Sequence, residues 1–265
     1  MLAIILFIVC LAASSIGAVA GYGGGVIIKP VVDAMNVMPA STISFLSGCT
    51  VLAMSVVSLL RSRGNGVVLQ LKTTAPLAVG AAAGGLVGKA LLEMVKQQSD
   101  ENMLGFTQSF FLLLTTVLVF IYTLKKNQLP SYQLHNMLVC LGVGLVLGIV
   151  SSFIGIGGGP LNMALLFFCF SMDAKTAAKN SIFIIMFSQV ASLVSALIQQ
   201  TVPAFNWPDL IMMAAGGCVG ALLGNFISKR INNQAIEKLL IVLMLVIIGI
   251  NIYNLFRYGM AVFNP

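Results

Sequence analysis

Apolar residues run through this chain in long blocks separated by short polar connections. A helix needs about 20 mostly apolar residues to cross the hydrocarbon of a bilayer. Blocks of that order are Leu2 to Ala20, Ser41 to Leu60, Pro76 to Val95, Phe106 to Leu124, Asn136 to Ile156, Thr176 to Ile198, Leu210 to Ile227 and Gln234 to Phe256. Two further apolar pieces, Val26 to Asn36 and Pro160 to Phe170, are too brief to cross alone. Each follows a glycine run set inside apolar sequence, Gly21-Tyr22-Gly23-Gly24-Gly25 in one case and Gly155-Ile156-Gly157-Gly158-Gly159 in the other. A glycine in a helix interior costs about 1 kcal/mol relative to alanine, so a triplet disfavours continued helix by roughly 3 kcal/mol. Pro160 suits the first position of a new helix, where its missing N–H would be unpaired anyway. The pattern predicts two helices broken at membrane depth.

This order of elements occurs twice. The glycine triplets lie 134 positions apart, and Gly80, Gly84 and Gly88 recur as Gly216, Gly220 and Gly224 at an offset of 136. Glycines spaced by four line one helical face and let a neighbouring helix approach closely. Each half then reads as a long helix, a glycine break, a short helix and three further spans. The predicted fold class is an all-α integral membrane protein, a single domain over residues 1–265 with repeats at 1–126 and 134–258. Lys and Arg are retained on the cytoplasmic side of short loops. They number three between Arg61 and Lys72, two at Lys125 and Lys126, three from Lys229 to Lys238, and none between Gln199 and Pro208. With the first three connections inside, Ser41 to Leu60 runs inward and its counterpart Thr176 to Ile198 runs outward. The halves are predicted to be inverted, each with a re-entrant hairpin bent at its glycines. Lys175 and Lys179 fall inside, both termini fall outside, and Lys89 and Lys96 fall outside in the company of Glu93, Asp100 and Glu101.

Composition changes the picture only by exclusion. The chain is 59% hydrophobic and 8% charged with a mean hydropathy of +1.04, which a soluble core does not require. The net charge of +7 comes from residues at the ends of apolar segments, so it reads as membrane topology rather than a nucleic-acid surface. Cys10, Cys49, Cys140, Cys169 and Cys218 lie in apolar segments without paired spacing and read as packing residues, with no metal site or cofactor implied. Leu2 to Leu11 resembles a signal h-region ahead of Ala18-Val19-Ala20. No Lys or Arg precedes it, however, and it leads into the first glycine run, so residues 1–20 are read as part of the mature fold. The only histidine, His135, sits at a segment edge and reads as interfacial. No H-E-x-x-H, paired intramembrane carboxylates or nucleotide-binding loop is present, so an enzyme is not expected.

A helix restarted after a break presents unpaired N–H groups and about half a positive charge, and glycines let a ligand reach the backbone. Anions suit such a site. In inverted halves two such ends can face one another near the midplane, as in the substrate sites of secondary transporters. The candidate substrate-binding residues are Gly23, Gly24, Gly25, Gly157, Gly158 and Gly159, with Asn162 three residues beyond the second triplet. Lys29 joins them one turn beyond Gly25, because an intramembrane ionisable residue is functional by default. It also has a structural reading, as an ion pair with Asp33 four residues on. Asp33 itself is a candidate for proton coupling. Asn180 and Ser181, opening the span to Ile198, complete the set. Ser44, Ser47 and Thr50, and likewise Ser188, Gln189, Ser192 and Ser195, read as groups that bond neighbouring helices.

Ser152-Phe153-Ile154-Gly155-Ile156-Gly157-Gly158-Gly159, followed by a short apolar helix and Ala177-Ala178-Lys179-Asn180-Ser181, resembles the two signatures of the sulfite exporter TauE/SafE family. Gly21 to Gly25 with Pro30 is similar to the family's first-half copy, and Asn206-Trp207 to its aspartate-tryptophan pair. Lys29 before Pro30, and Lys179-Asn180 where glycine-threonine is usual, depart from it. The resemblance implies a multi-pass transporter of the bacterial inner membrane for sulfite, sulfonates or related small sulfur or organic oxyanions. A channel, a non-transporting scaffold and a homo-oligomer remain open alternatives at this level. The expected partners are a small anion and the lipid bilayer.

Overall fold

The structure is a computed structural model that describes residues 2–61, 69–128, 131–134, 136–156 and 158–263. The described residues form ten α-helices and one 3-10 turn: α1 (Leu2–Ala20), α2 (Gly25–Met35), α3 (Ala40–Arg61), α4 (Leu71–Gln98), α5 (Glu101–Lys125), α6 (Met137–Ile154), α7 (Gly159–Phe170), α8 (Ala174–Ile198), α9 (Trp207–Arg230) and α10 (Asn233–Phe263). All but α2 and α7 are long and apolar enough to cross a membrane. These eight are the blocks expected from the sequence. The fold is that of an all-helical, multi-pass membrane protein.

α4 starts five residues before the expected Pro76. The amides of Thr73 and Thr74 both bond the Gln70 carbonyl, and the Asn180 side chain on α8 accepts from the Gln70 amide at 3.2 Å. An amide from a distant helix thus caps α4, which no local pattern announces.

The most extensive contacts pair α4 with α6 and α1 with α9. Both depend on the glycine rows. A Cβ on Gly80, Gly84 or Gly88 would collide with the carbonyls of Leu141, Leu145 or Ile149, and one on Gly216, Gly220 or Gly224 with those of Phe7, Leu11 or Ser15. In lipid, where helices gain nothing from leaving hydrocarbon, such backbone-to-backbone approach supplies the dispersion that holds them together.

The order of these contacts gives direction. Numbers rise together along α4 and α6 and along α1 and α9, so each pair is parallel. Gly217 meets Thr50 and Asn225 bonds Ser58, so α3 runs with α9; Asn180 bonds Thr74 and Gly85 meets Ser188, so α8 runs with α4. Gly48 and Val51 of α3 lie opposite Gln189 and Ile185 of α8, respectively, in antiparallel order. α1, α3 and α9 therefore run one way, and α4, α6 and α8 the other. α5 and α10 are antiparallel, with Gly105 against Tyr258 at one end and Lys126 paired to Glu237 at the other.

One end of the bundle collects basic residues. Arg61 and Lys229 line one crevice there, Lys126 meets Glu237, and the Lys175 amide bonds Asn233. Among these, Asp173 caps α8 by accepting from the Thr176 amide at 3.3 Å. Burial pushes its carboxyl up, but bonds from Thr176, Asn233 and the Lys175 amide outweigh that and hold it below the usual carboxylate range. At the opposite end Glu101 accepts from the amide and hydroxyl of Ser41, and Phe205 packs between Phe45 and Trp207, tilted on the first and edge-on to the second, with ring centroids 5.5 and 5.3 Å apart. His135 lies outside the described residues.

Candidate functional site

Both breaks form where the glycines demand them. α1 ends at Ala20, Gly21 and Gly23 adopt φ of +74° and +67°, and α2 starts at Gly25. L-residues with a Cβ rarely take such angles. α2 then folds back along α1: Gly17 packs against the Gly23 carbonyl and Gly24 against Ser14, while Ile28 and Val32 share a cluster with Leu6. α6 ends at Ile154 and turns through Gly155 (φ +77°) and Gly158 (φ +112°) into α7. The Phe168 and Cys169 carbonyls near the end of α7 accept from the amides of Tyr132 and Leu134, just ahead of α6, so α7 too returns to the level where its partner began. Gly157 lies outside the described residues.

The two breaks touch. A Cβ on Gly25 would lie 2.6 Å from the Ile156 carbonyl oxygen, and one on Gly159 would strike Val26. Residues 20–26 are buried, and so are Ile156, Gly158 and Gly159. Side chains from outside the breaks serve the backbone groups they free. The Ser181 hydroxyl of α8 donates to the Gly21 carbonyl at 2.6 Å, Gln108 Nε2 of α5 donates to the Phe153 carbonyl at 3.1 Å, and the Gly24 amide donates to the Met54 sulfur at 3.2 Å. This is the accounting that irregular backbone inside a membrane requires.

The expected site residues divide by what they touch. Asn162 is buried and folds its amide over Gly158, with its Oδ1 lacking any partner. Lys29 takes the ion pair that its spacing from Asp33 allowed. Its Nζ lies 3.0 Å from Asp33 Oδ2, both side chains are 2% exposed, and the Tyr258 hydroxyl of α10 donates to the other carboxylate oxygen at 3.2 Å. Asn254 Nδ2 donates to the Pro30 carbonyl alongside. α2 is thereby fastened to α10. Asn180 is likewise engaged, its oxygen accepting from Thr74 and Gln70 and its Nδ2 donating to the Thr176 carbonyl at 2.7 Å. Lys29, Asn180 and Ser181 thus hold the helices around the breaks together.

A polar cavity adjoins the second break. Its volume is about 30 Å³, and its walls include Ser44 and Gly48 of α3, Lys89 of α4, Ser152 and Gly155 at the end of α6, and Gln189 of α8. That is room for a water or two. A second, smaller pocket shares Ser44, Lys89 and Leu92 with it and lies among Glu93, Lys96, Thr201 and Pro203, toward the end of the bundle opposite the basic one. Lys89 Nζ pairs with Glu93 Oε1 at 2.8 Å. The hydroxyls of Ser152 and Ser188, both buried, have no partner and converge on Gly85. Unpaired buried polar groups are rare enough in native structures to need a reason.

The sequence reading placed Lys89 among outer-side charges and the α8 polar residues among helix-bonding groups. The signal that could have found the cavity was the one applied to Lys29: an ionisable residue well inside an apolar block. No metal-ligating cluster occurs among the described residues.

Comparison with known proteins supplies the family. The profile described as "Sulfite exporter TauE/SafE" matches residues 6–252. The chain is also 22% identical over 274 aligned positions, covering 92% of it and 95% of the relative, to the "Probable membrane transporter protein YunE" of Bacillus subtilis (strain 168). No solved structure gives a significant match. Two glycine-broken helices inside an eight-span bundle, matched from one end of the chain nearly to the other, identify the chain as belonging to the sulfite exporter TauE/SafE family of membrane transporters.

Proposed function

We propose that the protein is a secondary carrier that moves a small anion, sulfite, a sulfonate or a related sulfur or organic oxyanion, across the bacterial cell membrane. The observation that carries this reading is the meeting of two helix breaks beside a polar cavity with a lysine in its wall. The opposite directions of α1 and α6, α3 and α8, α4 and α9, and α5 and α10 support two inverted repeats, at 1–126 and 134–258. Their two-fold relation makes α4 on α6 the counterpart of α9 on α1. With the basic end in the cytoplasm, the cavity and the pocket beside it lie toward the outer face.

In this reading the anion passes from the cavity to the breaks, where Gly158 and Gly159, with Gly23 and Gly25 opposite, offer backbone N–H groups, Asn162 offers its side-chain amide, and the dipole of α7 favours negative charge. The small cavity belongs to a closed conformation, and the substrate enters when α3 and α8 part from α4. Flux tests the idea. Protein in liposomes should move sulfite, thiosulfate or a sulfonate saturably and with counterflow, and the same anion should raise the unfolding temperature because it binds only the folded state. A conductance without saturation would mean a channel, and no flux of any of these anions would reject the carrier.

A further inference from the structure

The α4 face that carries the cavity also carries an ordered set of charges. Gly85, Lys89, Glu93 and Lys96 are spaced by four, four and three residues, so they share one side of the helix. From Gly85 to Lys96 the helix rises about 16 Å, roughly half the hydrocarbon thickness. Gly85 lies at the depth of the unpartnered Ser152 and Ser188 hydroxyls, and Lys96 lies beside Thr201 and Pro203 at the mouth. The set therefore leads from the surface to the second break. Lys89 is the innermost cation along it, and among the described residues it pairs with Glu93, one turn nearer the mouth.

Resting on the carrier reading above, we propose that Lys89 is the charged residue that binds the transported anion in the cavity, on its way to the breaks, and that Glu93 is its internal competitor. Glu93 occupies the ammonium in the empty closed carrier. An entering oxyanion takes its place and accepts further bonds from the unpartnered Ser152 hydroxyl and the Gln189 amide. Exchange of one carboxylate for one substrate anion keeps Lys89 paired throughout, and the released Glu93 turns to Lys96, three residues nearer the mouth on the same helix face, so neither lysine nor acid is left unpaired. It also explains why a lysine is placed so deep with an acid beside it. A neutral solute gains nothing by displacing Glu93 and is rejected.

The test is sulfite-dependent thermal shift and sulfite counterflow with the full chain and its variants, each compared at equal folded fraction. A bond to a charged group contributes about 1.5–3 kcal/mol, so Lys89→Gln should weaken sulfite binding roughly 10- to 150-fold. Lys89→Arg should restore part of it. Glu93→Gln should bind more tightly than wild type, since the competitor is gone. The double variant Lys89→Gln/Glu93→Gln, which removes both charges and spares the fold an unpaired one, should bind as weakly as Lys89→Gln alone. Wild-type affinity in a folded Lys89→Gln or double variant, or unchanged or weaker binding in Glu93→Gln, would overturn the assignment while leaving the carrier intact. Absence of sulfite, thiosulfate and sulfonate flux in the wild type would instead remove the carrier reading and this assignment with it.

Discussion

Whether Lys29 handles substrate or only fastens α2 can be decided by a double-mutant cycle with Asp33. Both side chains are almost fully buried, 3.0 Å apart, and the carboxylate has one further partner in the Tyr258 hydroxyl. Lys29→Met leaves a carboxylate facing a single phenol, and Asp33→Asn leaves an ammonium facing a neutral amide. Breaking a buried pair by removing one partner costs about 3–5 kcal/mol, while replacing both ions with neutral groups is close to neutral. Each single variant should therefore shift the unfolding equilibrium by roughly two to three and a half powers of ten. Lys29→Met/Asp33→Asn should recover most of it, with a coupling of about 3 kcal/mol. Reversible unfolding in mixed detergent measures all four corners. Transport by the folded double variant should stay near wild type. Single variants as stable as wild type would refute the energetic reasoning, and a stable but inactive double variant would return Lys29 to the transport mechanism.

Three further outcomes are expected. Ser181→Ala strips the Gly21 carbonyl of its partner at the first break and should destabilise the fold by about 1–3 kcal/mol, read in the same unfolding assay. Gly84→Val drives a methyl into the Leu145 carbonyl, so α4 and α6 must separate; loss of monodisperse protein on size exclusion should follow, whereas the same change at Gly142, which faces open space, should be tolerated. Asp173 is held below the usual carboxylate range, so its capping contribution is complete above the unfolded-state pKa and is lost as pH falls through the folded value. Asp173→Asn should accordingly lower thermal stability slightly at neutral pH, and the gap to wild type should close in acid.

Much of this protein is written locally. Apolar length alone marks the eight long helices, because crossing hydrocarbon needs a minimum number of residues and nothing else along the chain competes for that role. The breaks are local too: Gly21, Gly23, Gly155 and Gly158 take backbone angles that side-chain-bearing residues avoid, so the interruption follows from composition before any neighbour is present. The glycine rows announced close helix contact, yet not that α4 would choose α6 and α9 choose α1. That choice depends on two surfaces meeting, and each row describes only one of them. Tertiary packing also decided the fate of the polar residues. Asn180 caps a helix more than a hundred residues away, Lys29 is turned under α10, and Lys89 faces a cavity, because which side of a nearly uniformly apolar helix looks inward is set by its partners. Around such a helix the sequence carries almost no amphipathic signal, and lipid and protein interior look equally apolar to it.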